Sequence, residues 1–145
     1  MSWRSSVTSS FTLDSLDATR QLARFLVTAT SPGDLLVLTG PLGAGKTTLT
    51  QGIGLELNSP AHITSPTYTL VHEYPTPQGT LVHIDAYRLP DANALLELGL
   101  EDYLERARLT VVEWGEGLLN IFPDAYHLTL ILNEEGRSAT LVYPT

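Results

Sequence analysis

Hydrophobic residues along this chain switch between two spacings, and the switches predict its elements. Residues 9–13 read as a short first strand. Ser15 then stands where a helix N-cap belongs, with Asp17 in the first turn, where the helix dipole favours negative charge. Ala18, Leu22, Phe25, Leu26 and Ala29 follow at helical spacing, and Ser31-Pro32-Gly33 stops the helix. Residues 34–39 are a short apolar run between that turn and Gly40, which suits a buried parallel strand. Leu49, Ile53 and Leu57 mark a helix over 47–57. Ser65-Pro66-Thr67 reads as a loop, because proline cannot donate to a ladder.

Beyond it, residues 69–74 and 80–85 read as strands around a turn at 75–79. Residues 90–98 and 101–106 read as helices split by Gly99, and 109–113 as an apolar strand ending in an acid. Residues 126–132 and 138–143 form a C-terminal hairpin through 133–137. The order implies an α/β domain: a mixed, largely parallel central sheet flanked by helices, with the hairpin at its end. No repeat, low-complexity stretch or interdomain linker interrupts it, so residues 1–145 are expected to be one domain, with 1–8 open to disorder.

Composition narrows the function. Apolar residues are 43% of the chain and charged residues 17%, which places it among globular rather than disordered sequences. The absence of cysteine excludes a disulfide framework and a thiolate metal site. No apolar run approaches the roughly 20 residues of a membrane helix, and residues 1–11 lack the apolar stretch of a signal peptide. The expectation is a soluble, cytoplasmic protein with no membrane contact. A net charge of -8 argues against a free-standing nucleic-acid binder, which carries a basic footprint. If a nucleic-acid pathway is served, protein partners serve it, and the isolated chain is not expected to bind nucleic acid tightly.

The strongest motif is Gly40-Pro41-Leu42-Gly43-Ala44-Gly45-Lys46-Thr47, preceded by the 34–39 strand and followed by a helix. That strand–loop–helix context is what a phosphate-binding P-loop requires. Glycines at 40, 43 and 45 let backbone N–H groups turn inward, and the helix adds the positive end of its dipole. Lys46, the sole lysine of the chain, is placed to reach the β- and γ-phosphates of ATP, and the Thr47 hydroxyl to ligate Mg²⁺. Leu42, Ala44 and Thr48 complete the expected cofactor-binding loop.

Hydrolysis also needs an acid for the metal and a group that orients water. Asp85, in His83-Ile84-Asp85-Ala86-Tyr87-Arg88, and Glu113, after Leu109-Thr110-Val111-Val112, both end strands, where ligands of open α/β sheets gather. An acid at a strand end is equally an ordinary solvated side chain; the loop tips the reading, because the site otherwise lacks one. If the strand runs through Tyr87, then His83, Asp85 and Tyr87 share a face. Thr67 is a candidate γ-phosphate sensor, although its spacing alone favours a plain turn. Trp114 reads as core or as packed near the nucleotide, with core or scaffold favoured; Arg88 could neutralise developing charge, although an isolated arginine reads first as a surface salt bridge. His62, His72 and His127 show no metal-ligand spacing. Seven acids between Asp91 and Glu116, against Arg106 and Arg108, read as a solvated face or a docking surface for a basic partner.

Together these segments resemble the TsaE (YjeE) family, the ATPase of bacterial tRNA threonylcarbamoyladenosine synthesis. The resemblance rests on the loop through Thr48, on Ser65-Pro66-Thr67-Tyr68-Thr69-Leu70-Val71-His72-Glu73-Tyr74, on His83 to Leu89, on Glu97-Leu98-Gly99 and on Glu113-Trp114. It spans about Leu13 to Glu116. It implies a small ATPase that binds ATP with Mg²⁺, turns over weakly alone, and acts with partners resembling TsaB and TsaD. It implies loop roles for Lys46 and Thr47, a switch-loop role for Thr67, metal or water roles for Asp85 and Glu113, and a place at the nucleotide for Trp114. Pro41, where an acid is common, and Gly115, where proline is frequent, depart from the pattern. The alternatives are a small-molecule kinase, for which no arginine-rich lid appears, and a binding switch driven by nucleotide.

Overall fold

The computed structural model describes residues 6–41, 43–60, 63 and 70–144. Its elements, in order, are β1 (Ser6–Thr12), α1 (Leu16–Ala29), β2 (Asp34–Thr39), α2 (Lys46–Glu56), β3 (Val71–Tyr74), β4 (Thr80–Asp85), α3 (Ala92–Glu97), α4 (Leu100–Arg106), β5 (Ala107–Glu113), a 3₁₀ turn (Glu116–Asn120), β6 (Tyr126–Asn133) and β7 (Gly136–Pro144). The strands form one sheet in the order β1-β7-β6-β2-β5-β4-β3. The sheet is mixed. β2 pairs in parallel with β5 and β6, and β4 with β5, at the centre. β1–β7, β6–β7 and β3–β4 are antiparallel, at the two margins.

β2 is apolar throughout because both its faces are covered. Leu36 and Leu38 join Leu22, Leu26, Leu49 and Ile53 in the core beneath α1 and α2. Leu35 and Val37 face the opposite core, closed by Leu95, Leu100 and Leu118. A strand covered on both sides loses its period-two signature. The same alternation puts Leu81, Leu109 and Val111 on the α2 face, and hence also His83, Asp85 and Glu113.

α1 begins where Ser15 Oγ accepts the Ala18 N–H at 3.0 Å, a cap worth about 1 kcal/mol. Its last turn carries no basic residue. Arg108 of β5 supplies the missing cation by donating to the Val27 carbonyl at 2.7 Å and the Thr30 carbonyl at 3.0 Å. The Tyr126 hydroxyl donates to the Ala29 carbonyl at 2.9 Å.

Several boundaries differ from the sequence expectation. α3 starts after Asp91, whose carboxylate accepts the Ala94 N–H, and not at Pro90. β1 starts at Ser6, held by full pairing to β7. β4 ends at Asp85, so Tyr87 does not continue its face; it stands exposed in a turn whose N–H donates to Asp85 Oδ1. The 3₁₀ turn was not anticipated, being too short to show a period.

Candidate active site

The loop after β2 is shaped by two glycines at positive φ. Gly43 has φ 82° and Gly45 has φ 104°, a region that side chains with a Cβ rarely adopt. Gly45 is the N-cap of α2 and offers no side-chain cap. The N–H groups of the first turn of α2 are thus left for an anion. Gly40 has a packing reason as well: a Cβ there would lie 3.0 Å from Leu130 Cβ and the Leu130 carbonyl, so its absence lets β6 approach. Ala44 is buried in the core. Leu42, Thr67 and the rest of Ser65-Pro66-Thr67, and His62, lie outside the described residues.

A cleft of about 290 Å³ opens at this loop, lined by Gly43, Gly45, Lys46, Thr47, Thr48, Asp85, Glu113, Trp114 and Arg137. Asp85 and Glu113 reach it from strand ends that are direct neighbours in register, and the Ala86 N–H donates to the Glu113 carbonyl at 2.9 Å. Lys46 is 6% exposed and Glu113 5%. Lys46 Nζ lies 3.8 Å from Glu113 Oε1. His83 Nε2 lies 2.6 Å from Glu113 Oε2.

Trp114 adopts φ 63°, unusual for a large residue, immediately after Glu113. That turn brings its ring to 4.2 Å, centroid to Lys46 Nζ, with Tyr87 edge-on behind it at 5.1 Å. Trp114 therefore lines the cleft while its half-buried side chain also packs against the core that holds Val37 and Val112. Arg88 is exposed and stands apart from the cleft lining.

Two residues of the site were not found from sequence. His83 was read as a face-mate of Asp85, but its bond to Glu113 depends on the β4–β5 register, which no local pattern carries. Arg137 comes from the hairpin, lines the cleft and donates to the Gly43 carbonyl at 3.3 Å; only the tertiary fold brings it there. Beside the loop, the Thr39 hydroxyl donates to Glu116 Oε1 at 3.0 Å and accepts from His127 Nε2–H at 2.9 Å. Burial pushes the His127 pKa below its ordinary value of 6.5, against the opposing pull of Glu116.

The donor set suits a nucleotide held with Mg²⁺. Among the described residues no three His, Cys, Asp or Glu side chains converge to cage a metal. Mg²⁺ needs no such cage when phosphates supply ligands beside one or two protein oxygens. Thr47, Asp85 and Glu113 bring side-chain oxygens to the cleft lining, and Lys46 and Arg137 bring cationic donors to it. No helix among the described residues is long and apolar enough to cross a membrane.

The family profile described as "Threonylcarbamoyl adenosine biosynthesis protein TsaE" matches residues 13–140. The chain is 40% identical over 140 residues to the tRNA threonylcarbamoyladenosine biosynthesis protein TsaE of Mycobacterium tuberculosis, covering 90% of this chain and 82% of that one. It is 38% identical over 112 residues to the protein of the same name from Haemophilus influenzae, covering 77% and 71%. The crystal structure of Bacillus subtilis YdiB superposes with a TM-score of 0.73 at 26% identity, covering 100% of this chain and 90% of that one.

Proposed function

The chain belongs to the TsaE family of threonylcarbamoyl adenosine biosynthesis proteins, and on that premise we propose that it is a weak, partner-dependent ATPase serving tRNA threonylcarbamoyladenosine modification. The observation that carries the reading is the convergence, in one cleft, of a positive-φ glycine loop with Lys46 and of two strand-end carboxylates, Asp85 and Glu113. Loop N–H groups and the α2 dipole bind the phosphates, and Lys46 leaves Glu113 to pair with them. Thr47 with the carboxylates would hold Mg²⁺, which when bound neutralises charge on the phosphate oxygens. Asp85 and Glu113 divide metal ligation and water orientation between them, and Trp114 covers Lys46 from the side.

The partners are proteins resembling TsaB and TsaD, and hydrolysis resets their complex between cycles. A net charge of -8 supports the protein route over direct tRNA contact. The test is Mg²⁺-dependent ATP hydrolysis by the purified protein, with and without the partner pair of the same organism, and with Lys46→Ala as control. Slow hydrolysis that rises with partners and vanishes in the variant is expected. Fast partner-independent turnover would favour a kinase, and binding without any hydrolysis a pure switch.

A further inference from the structure

Glu113 is held from two sides, and one of those holds must be given up when nucleotide enters. The Lys46 ammonium near Oε1 is required by phosphate under the reading above. The contact at Oε2, from His83 Nε2 at 2.6 Å, is not. A carboxylate only accepts, so the imidazole donates through Nε2–H. His83 sits in the middle of β4 with 0% exposure, where water cannot replace it. Its other nitrogen, Nδ1, is buried with no hydrogen-bond partner among the described residues. A buried ring with one nitrogen unpartnered is a poor space-filler, because an apolar residue would pack there without that penalty. Among the described residues, the bond to Glu113 is the one polar contact this ring makes.

The register explains the reach. Asp85 stands directly opposite Glu113, and His83 opposite Val111. The imidazole therefore crosses diagonally, on the shared face, to the carboxylate.

We propose that His83 is the positioning residue of Glu113: its Nε2–H fixes Oε2 against the sheet and keeps Oε1 aimed into the cleft once Lys46 has turned to the nucleotide. The proposal rests on Glu113 serving in hydrolysis. It concerns geometry, in the way that outer-shell partners orient the groups that act.

The test compares the parent, His83→Leu, His83→Gln, Glu113→Gln and the double variant His83→Leu/Glu113→Gln. Mg²⁺-dependent ATP hydrolysis is measured with the partner pair present, and ADP affinity separately by equilibrium titration. His83→Leu should lower kcat by about 10-fold or more, with ADP affinity within about threefold of the parent. His83→Gln, which keeps an N–H donor, should recover most of the loss. In the Glu113→Gln background, His83→Leu should change kcat no further. A folded His83→Leu with parental kcat, or equal losses for Leu and Gln, overturns the positioning role and leaves the ATPase reading standing. ADP binding without hydrolysis in the parent, with or without partners, overturns the ATPase reading and the positioning role with it. Should His83→Leu fail to fold, ¹⁵N spectra of the imidazole decide: an Nε2–H signal unmoved by Glu113→Gln refutes the bond.

Discussion

Replacing Lys46 by Met tests whether the buried charge pair at the loop carries energetic weight in the absence of nucleotide. Lys46 Nζ and Glu113 Oε1 are 3.8 Å apart, and the two side chains are 6% and 7% exposed. At an effective dielectric of about 20, that separation gives a gross attraction of about 4 kcal/mol. Desolvation of both ions offsets most of it, so the intact pair is worth little against an apolar pair of equal volume. Met keeps the volume of the stem, and the change falls on Glu113. Unpairing a buried charge costs about 3–5 kcal/mol, which the His83 bond and the open cleft mouth reduce to about 2 kcal/mol. Losing the ammonium over the Trp114 ring adds about 0.5–1 kcal/mol. Lys46→Met should therefore lose about 2–3 kcal/mol, or about 6–9 °C in Tm. Glu113→Gln removes the stranded charge with little change of shape, so Lys46→Met/Glu113→Gln should return to within about 1 kcal/mol of the parent. Urea unfolding followed by circular dichroism, without nucleotide, measures the cycle. Effects that add to within about 0.5 kcal/mol would show that the contact has no weight.

Gly45→Ala should cost about 1–2 kcal/mol through backbone strain alone, since a Cβ there meets nothing within 4 Å; it should also weaken ADP binding, and parental affinity in a titration would sink the loop reading. Arg108→Met should remove the donors at the end of α1 and lower Tm by about 6 °C, a loss of about 2 kcal/mol; an unchanged melting curve would show that the cap contributes nothing. His127 resists protonation in the folded state, so its contribution to stability is present above pH 6.5 and is lost as pH falls below that value toward its lowered folded pKa. The stability difference between the parent and His127→Gln should thus shift against the parent on acidification, and a difference that stays flat from pH 8 to pH 5 contradicts this.

The sequence carried the elements better than their arrangement. β2 was legible because an unbroken apolar run between turn signals has few other readings, and α1 because Ser15, Asp17 and a regular apolar face agree. The loop was legible because its chemistry is contiguous. Glu113 and Asp85 were visible as strand-end acids, but their adjacency follows from the β4–β5 register, and register is a tertiary quantity. His83 and Arg137 fall under the same limit. Gly40 carries a second reason that the motif did not show, the close approach of Leu130 from β6. The left-handed turn at Trp114 had no signal at all, since nothing local predicts that a tryptophan will adopt it.

The first strand of the sheet pairs with β7, and Arg137 of β7 closes the cleft against Gly43 across a separation of 94 residues. On the ribosome, at about 5–20 residues per second, about 5–20 s pass between the emergence of the loop and that of its last wall. During that interval β1 waits unpaired, its outward positions Ser6, Thr8, Ser10 and Thr12 polar enough to tolerate the delay. The cleft in its full form exists only on chains translated past Arg137. Under the proposed function, nucleotide would add its full stabilisation only to chains that have reached Arg137.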